Sequence, residues 1–181
     1  YITIGLNALN DAFKIKPNYS IGDDNEPKNT APGGKPDIEC FYKEFNSICE
    51  VTLLKDRNQW FNEGQPVMRH LRDFENENKD KPSYCLFIAP EIHRDTINTF
   101  WHSVKYEYEG EKQKIIPLTI KQFIELLEVL VKIKEYNKKL THTKLSNLYN
   151  NILNINGVLN SLDWLNKILE KIHSWKLEVL V

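Results

Sequence analysis

The chain has 181 residues, of which 41% are hydrophobic and 27% are charged, and its formal net charge is −1. This length and composition fit about one globular domain with its own core and exclude a disordered chain. Because no apolar run reaches the ~18 residues of a membrane span, we expect no membrane segment.

Charge is divided unevenly along the chain. Residues 1–118 hold 15 Lys and Arg against 19 Asp and Glu, a net charge of −4, whereas residues 119–181 hold 9 against 6, a net charge of +3. Binding nucleic acid by charge alone requires clustered basic residues that neutralise phosphates. Any nucleic-acid chemistry in the first part therefore needs help with binding.

The three cysteines, Cys40, Cys49 and Cys85, have neither the pattern of a disulfide framework nor the spacing of a zinc site. This use of cysteine favours a reducing cytoplasm. The chain begins at Tyr1 inside an apolar stretch, without a Met or a secretory leader, so we expect it to be part of a longer protein.

The first 36 residues predict a helix and then a loop. Four apolar side chains in residues 1–13 fall roughly on one helical face, namely Ile4, Leu6, Leu9 and Phe13. Residues 14–36 are rich in Pro, Gly, Asn and Asp, which is typical of a long connecting loop.

The next segments predict strands and helices in alternation. DIECFY (37–42) and SICEVTLL (47–54) predict a β-hairpin that turns at residues 43–46. Pro66 suits the first turn of a helix, and SYCLFIA (83–89) is typical of a buried strand.

Residues 92–106 predict another helix, and residues 114–118 predict another strand. Because strand–helix–strand units of this length are parallel and right-handed in most cases, we expect part of the sheet to be parallel. The order of elements predicts an α/β fold with a mixed central β-sheet flanked by helices, followed by a C-terminal all-helical extension.

The last third of the chain predicts helices only. Thr119 and Gln122 have the spacing of a capping box, and amphipathic stretches follow at residues 143–155 and 161–177. These stretches carry apolar residues at helical spacing, namely Leu145, Leu148, Ile152, Leu165, Ile168, Ile172 and Trp175. Such a surface is either a cap packed on the sheet or an interface with a partner subunit.

Two acidic residues fall at one end of the predicted hairpin. A turn at residues 43–46 brings Asp37 level with Val51 and Thr52, next to Glu50. Two carboxylates in an apolar strand pair are costly unless a cation lies between them. This composition favours a magnesium site, whose ion can polarise a phosphate and activate a bound water.

The spacing around these residues resembles a known motif. Pro36-Asp37, twelve residues, and then Glu50-Val51-Thr52 resemble the PD-(D/E)xK nuclease motif. The ordered blocks EVTLL, EGQPVMRHLRDF, YCLFIAPEIHRDT and KIIPLTIKQF resemble the cleavage domain of AlwI-like type IIS restriction endonucleases, relatives of the FokI cleavage domain. The resemblance covers roughly residues 1–130, the expected nuclease domain, and residues 131–181 are expected to be a C-terminal helical extension packed on or associated with it.

The resemblance implies roles for individual residues. Asp37 and Glu50 would bind Mg²⁺, for which Mn²⁺ would substitute, and the backbone carbonyl of Val51 would complete the metal's shell. Thr52 occupies the catalytic position at which most of the superfamily has a lysine. A hydroxyl can orient water but carries no positive charge.

Other residues around the motif are candidates for related roles. Lys35, Lys55 or His70 could supply the missing charge, and Glu63 could orient water or a second metal. We expect Lys35, Gln65 and Arg69 to contact DNA. Many such nucleases also carry a glutamate on the helix before the hairpin, and that position would precede Tyr1.

The leading hypothesis is a metal-dependent endonuclease that cleaves double-stranded DNA and is tethered to a recognition domain or subunit outside this chain. One active site cuts one strand, so a double-strand break requires a second copy or a second nuclease subunit. Two alternatives are an inactive interaction or dimerisation module with the nuclease fold, and a DNA repair or junction nuclease of the same fold.

Overall fold

The computed structural model describes residues 1–9, 12–24, 26–28, 31–136 and 141–180, without the side chains of Val131 and Lys134. Within these residues the elements follow in the order α1 (Ile2–Ala8), β1 (Lys14–Pro17), β2 (Ile38–Phe41), β3 (Asn46–Val51), α2 (Asp56–Glu77), β4 (Ser83–Ala89), α3 (Arg94–Lys105), β5 (Ile115–Thr119), α4 (Ile120–Glu135), α5 (His142–Leu153) and α6 (Ser161–Leu180).

The strands form one mixed sheet in the order β1-β2-β3-β4-β5. The pairs β1/β2 and β2/β3 are antiparallel, whereas β3/β4 and β4/β5 are parallel and are connected through α2 and α3. The predicted α/β class, the mixed sheet and the parallel crossovers are therefore confirmed. The carboxyl ends of β3 and β4 lie at the same edge, where open α/β sheets bind ligands.

Helices cover both faces of the sheet. Phe87 of β4 packs against Phe100 of α3, with ring centroids 5.0 Å apart, and Tyr84 packs against Tyr149 of α5 at 5.5 Å. Positions 84 and 87 point to opposite faces because side chains alternate along a strand. Phe74 of α2 contacts Phe41 of β2 on the α3 side.

The C-terminal helices close around the rest of the fold. α6 packs on α3, α4 and α5. Six of the seven predicted apolar positions are at least 98% buried within the chain, namely Leu145, Leu148, Ile152, Ile168, Ile172 and Trp175. These side chains therefore act as an intramolecular cap. The domain boundary at residue 130 stays a prediction, and it falls inside α4.

The first elements differ from the sequence prediction. α1 ends at Ala8. Two residues that we placed on its apolar face are exposed, Phe13 at 73% and Ile4 at 69%. The predicted loop 14–36 begins with strand β1. This strand gains its hydrogen bonds from β2, and such pairing is not visible in local composition.

The helix that the sequence predicts to start near Pro66 begins ten residues earlier, at Asp56. Pro66 therefore lies inside α2. A proline there cannot donate to the carbonyl of Asn62, which is a cost to the helix. Tertiary contacts of the first turns offset this cost. Gln59 is fully buried, and the Trp60 indole donates to Thr99 Oγ1 at 3.0 Å.

The hairpin turn also closes one residue earlier than predicted. The Tyr42 N–H donates to the Phe45 carbonyl at 3.0 Å, so that Asn46 pairs with Phe41. β3 ends at Val51 instead of Leu54 because the Thr52 hydroxyl accepts from the Leu54 N–H at 3.1 Å and turns the chain.

Other predicted features are confirmed. β4, α3 and β5 lie within one or two residues of their predicted bounds. The Thr119 and Gln122 capping box forms with reciprocal bonds, since Gln122 Oε1 accepts from Thr119 N at 2.8 Å and Thr119 Oγ1 accepts from Gln122 N at 3.1 Å. In the described part of the chain, no helix is both long and apolar enough to cross a membrane.

The cap role of α6 predicts a difference between two positions on the same helix. Ile168→Ala removes a fully buried side chain and should lower the free energy of unfolding by about 2–5 kcal/mol. Leu177→Ala, at a position 69% exposed, is the control and should change it by less than about 0.5 kcal/mol. Urea denaturation of both variants measures the difference, and equal effects would contradict the packing described here.

Candidate metal-binding active site

The two predicted acidic ligands meet at the end of the β2–β3 hairpin. Ile38 is paired with Cys49, so Asp37, one residue before β2, comes level with Glu50 rather than with Val51 and Thr52. The Asp37 N–H lies 3.4 Å from Glu50 Oε2. Side chains at directly opposed positions point to the same face of a sheet, which places both carboxylates toward α2.

The main chain of Val51 is the third part of the site. Its N–H donates to Asp37 Oδ2 at 2.8 Å, which fixes one oxygen of that carboxylate. Because a strand residue presents its N–H and its C=O to the same side, the Val51 carbonyl faces the side of Asp37. The predicted set Asp37, Glu50 and Val51 is therefore brought together.

α2 supplies two further side chains. His70 Nδ1 lies 2.8 Å from Glu50 Oε1, and Glu63 lies beside the Thr52 side chain, which lowers the pKa of the Glu63 carboxyl group. Glu63 was expected just before the helix but lies within it, seven residues and about two turns from His70. Both side chains therefore face the end of β3.

Burial governs the electrostatics of the site. It raises the pKa values of the Asp37, Glu50 and Glu63 carboxyl groups, and the charge of Asp37 raises those of Glu50 and Glu63 further. The hydrogen bond to Glu50 raises the pKa of His70. Three acidic groups thus share a partly desolvated region with one imidazole, which favours the approach of a cation.

The donor set fits a hard divalent cation that keeps some of its water. Among the described residues no group of three or more His, Cys, Asp or Glu side chains forms a metal cluster by itself. Two carboxylates, one main-chain carbonyl and water are the kind of shell that Mg²⁺ takes. Asp37, Glu50 and Val51 would hold the ion, and His70 already orients Glu50.

The remaining predicted residues surround this centre without joining it. Lys35 is exposed in a turn in which its N–H donates to the Pro32 carbonyl at 3.1 Å. Gln65 and Arg69 are exposed on α2, four residues apart. The charge of Arg69 lowers the pKa of His70, which places it near the site.

Two polar side chains near the site escaped the sequence analysis. Gln59 donates to the carbonyls of Leu54 and Glu91 at 2.9 and 2.8 Å and accepts from the His93 N–H at 2.8 Å, so it joins the loops after β3 and β4. Asn18 donates hydrogen bonds to the main-chain carbonyls of Pro36 and Asp37. Neither belongs to a motif. Gln59 lies ahead of the predicted helix, and Asn18 lies in the predicted loop.

Sequence comparison assigns the family. The sequence model of the AlwI restriction endonuclease family matches residues 1–126. The chain therefore belongs to the AlwI restriction endonuclease family, as its motifs indicated. No curated protein matches the chain significantly.

Structural comparison extends the likeness over almost the whole chain. The fold is similar to the crystal structure of the small subunit (R.BspD6I2) of the heterodimeric restriction endonuclease R.BspD6I, with a TM-score of 0.71 and 22% sequence identity. The match covers 98% of this chain and 87% of that chain. The helices after residue 130, which resembled nothing in sequence, are thus part of a fold that the two proteins share.

The contact between His70 and Glu50 predicts a coupled titration in the metal-free protein. His70 should titrate above its ordinary pKa of 6.5, and Glu50→Gln should lower that pKa because its main cause is removed. The raised pKa means that the pair stabilises the fold below pH 6.5 and that this contribution is lost as pH rises through the pKa of His70. NMR of the imidazole protons measures the pKa, and equal values in both proteins would contradict the contact.

Proposed function

We propose that the chain is a Mg²⁺-dependent endonuclease that hydrolyses phosphodiester bonds of double-stranded DNA, as the cleavage part of a type IIS restriction enzyme. The observation that carries this proposal is the convergence of Asp37, Glu50 and the Val51 main chain at the end of β3, beside His70 and Glu63 of α2. Membership of a restriction endonuclease family supports it.

Each residue has a separable task in this proposal. Bound Mg²⁺, or Mn²⁺ in its place, would polarise the scissile phosphate and lower the pKa of a bound water. Asp37, Glu50 and the Val51 carbonyl would hold the ion, while the Val51 N–H and His70 fix one oxygen of each carboxylate. Glu63, which lies beside Thr52, would orient the attacking water from α2.

The positive charge that the motif lysine would supply is assigned to His70. Its ring contacts Glu50 at 2.8 Å, whereas Lys35 and Lys55 are exposed. A cation beside the reacting phosphate stabilises the charge that develops in the transition state. Lys35, Gln65 and Arg69 contribute contacts to the DNA around this centre.

Recognition and pairing are assigned to other parts of the enzyme. The net charge of −4 over residues 1–118 gives weak binding to DNA, so cleavage depends on a recognition domain or subunit that delivers the chain. The similar structure is a subunit of a heterodimeric enzyme. This supports the proposal that the chain acts together with a second nuclease subunit or with a second copy of itself. The three buried free cysteines support a location in the reducing cytoplasm.

A second candidate function is an inactive module that keeps the nuclease fold. The observation in its favour is Thr52, which cannot replace the charge of the motif lysine. The buried carboxyl groups of Asp37, Glu50 and Glu63 count against it, because such groups are costly in a fold that does not use them.

Fusion to a DNA-binding domain tests the proposal. The chain, free and fused to a zinc-finger array, is incubated with supercoiled plasmid that carries the array's site, in Mg²⁺ and in Mn²⁺. We expect nicks or breaks near that site with the fusion only. A folded fusion that cuts nothing in either metal would favour the inactive module.

Isosteric variants of the ligands should separate activity from folding. Asp37→Asn and Glu50→Gln each remove a ligand charge, and we expect cleavage by the fusion to fall by at least about tenfold. The side-chain amide that Asp37→Asn introduces can still accept from the Val51 N–H through its oxygen, so the melting temperature should not fall. Cleavage close to the parent rate at an unchanged melting temperature would contradict the site.

Thr52→Lys tests whether charge is what the site lacks. The substitution restores the superfamily's cation beside the phosphate, so we expect activity to be retained in part or to increase. Thr52→Val is the control, since it removes the hydroxyl without adding charge. Complete loss in a folded Thr52→Lys variant would show that the Thr52 hydroxyl, beside Glu63, has a task of its own.

A further inference from the structure

We propose that Asn18 is a positioning residue for the metal site: it holds the carbonyl groups of Pro36 and Asp37, on either side of the Asp37 Cα, so that the Asp37 carboxylate meets Glu50. This inference rests on the proposed function, because it assumes that Asp37 binds a metal. It assigns a role to a residue outside the nuclease motif.

The contacts of Asn18 reach three positions on the segment that carries Asp37. Its N–H donates to the Asp37 carbonyl at 2.9 Å. Its side-chain Nδ2 donates to the Pro36 carbonyl and to Glu39 Oε1, both at 2.8 Å. The residue before Asp37, Asp37 itself and the residue two positions after it are thus bound to one asparagine.

Asp37 needs such support because it precedes β2. The β1/β2 pairing ends with Pro17 opposite Ile38, and proline has no N–H to give to a ladder. The Asp37 side chain is held by the Val51 N–H at Oδ2, and its main chain is held by Asn18. Together these contacts fix both ends of the ligand before a metal arrives, which lowers the ordering cost of binding.

The chemistry of the side chain matches the task. Asparagine carries two amide N–H donors, and here both have an acceptor, a neutral carbonyl and a carboxylate. The side chain of alanine has no donor and that of serine has one, whereas the main-chain N–H that donates to the Asp37 carbonyl is present in every variant. The buried Glu39 carboxylate accepts from Asn18 at Oε1, and Lys16 Nζ lies 3.2 Å from its other oxygen, Oε2.

A purely structural role for Asn18 is separable from this one because Lys16 offers a matched control. Lys16 lies on the same edge strand and bonds the same glutamate, but the structure records no bond from its side chain to Pro36 or Asp37. Lys16→Met therefore perturbs β1 and Glu39 while leaving the support of Asp37 in place. Loss of metal affinity in Asn18→Ala alone would identify positioning.

The experiment measures Mn²⁺ binding to the full chain by electron paramagnetic resonance, at a temperature where circular dichroism shows every variant folded. We expect Asn18→Ala to weaken Mn²⁺ binding by about tenfold or more and Lys16→Met to change it by less than about twofold. With the fusion, the Mg²⁺ concentration for half-maximal cleavage should rise in Asn18→Ala, with little change in the rate at saturating Mg²⁺.

The result that overturns the inference is Mn²⁺ affinity in Asn18→Ala equal to that of the parent, or an equal loss in Lys16→Met. Should Asn18→Ala not fold, Asn18→Ser decides in its place, since one donor remains. An affinity between that of the parent and that of Asp37→Asn supports the inference, and parental affinity overturns it.

Asp37→Asn separates this failure from failure of the proposed function. If Asp37→Asn binds Mn²⁺ as the parent does, the metal site itself is wrong. If Asp37→Asn loses binding while Asn18→Ala keeps it, the metal site stands and only the role of Asn18 fails.

Discussion

The pairing of β2 with β3 in one register is the constraint on which the candidate site depends. Ile38 opposite Cys49 sets Asp37 level with Glu50, and the Tyr42–Phe45 hydrogen bond fixes where the turn closes. A slip of one residue in either strand would move its side chains to the other face. Glu50 would then leave the side of α2, and its contact with His70 would be lost.

The candidate site keeps three acidic side chains in a partly buried region, and the fold sets which group lies beside each of them. Burial raises the pKa values of three carboxyl groups, so the folded chain keeps acidic groups where they are costly. Each lies beside a polar group of the chain: the Val51 N–H for Asp37, His70 for Glu50 and the Thr52 side chain for Glu63. These groups orient the carboxylates but do not neutralise all of their negative charge. Binding of a cation at the site is therefore favourable.

The C-terminal helices α5 and α6 pack into the rest of the fold. Trp164 and Trp175 of α6 are buried, and their indole groups donate to the carbonyls of Ile152 and Lys144, at 3.0 and 2.9 Å. The shared fold covers 98% of the chain. Because α6 packs on α3 as well as on α4 and α5, it ties the last helices to the parallel half of the sheet.

The sequence by itself determined the fold class, the parallel crossovers, the family and the acidic pair, because apolar periodicity and motif spacing are local or ordered along the chain. Tertiary structure decided what depends on distant partners. β1 exists only as a partner of β2, and α2 extends ahead of Pro66 because Gln59 and Trp60 find acceptors on other segments. Asn18 had no local signal, since its acceptors lie 18 to 21 residues away and come within reach only when β1 joins the sheet.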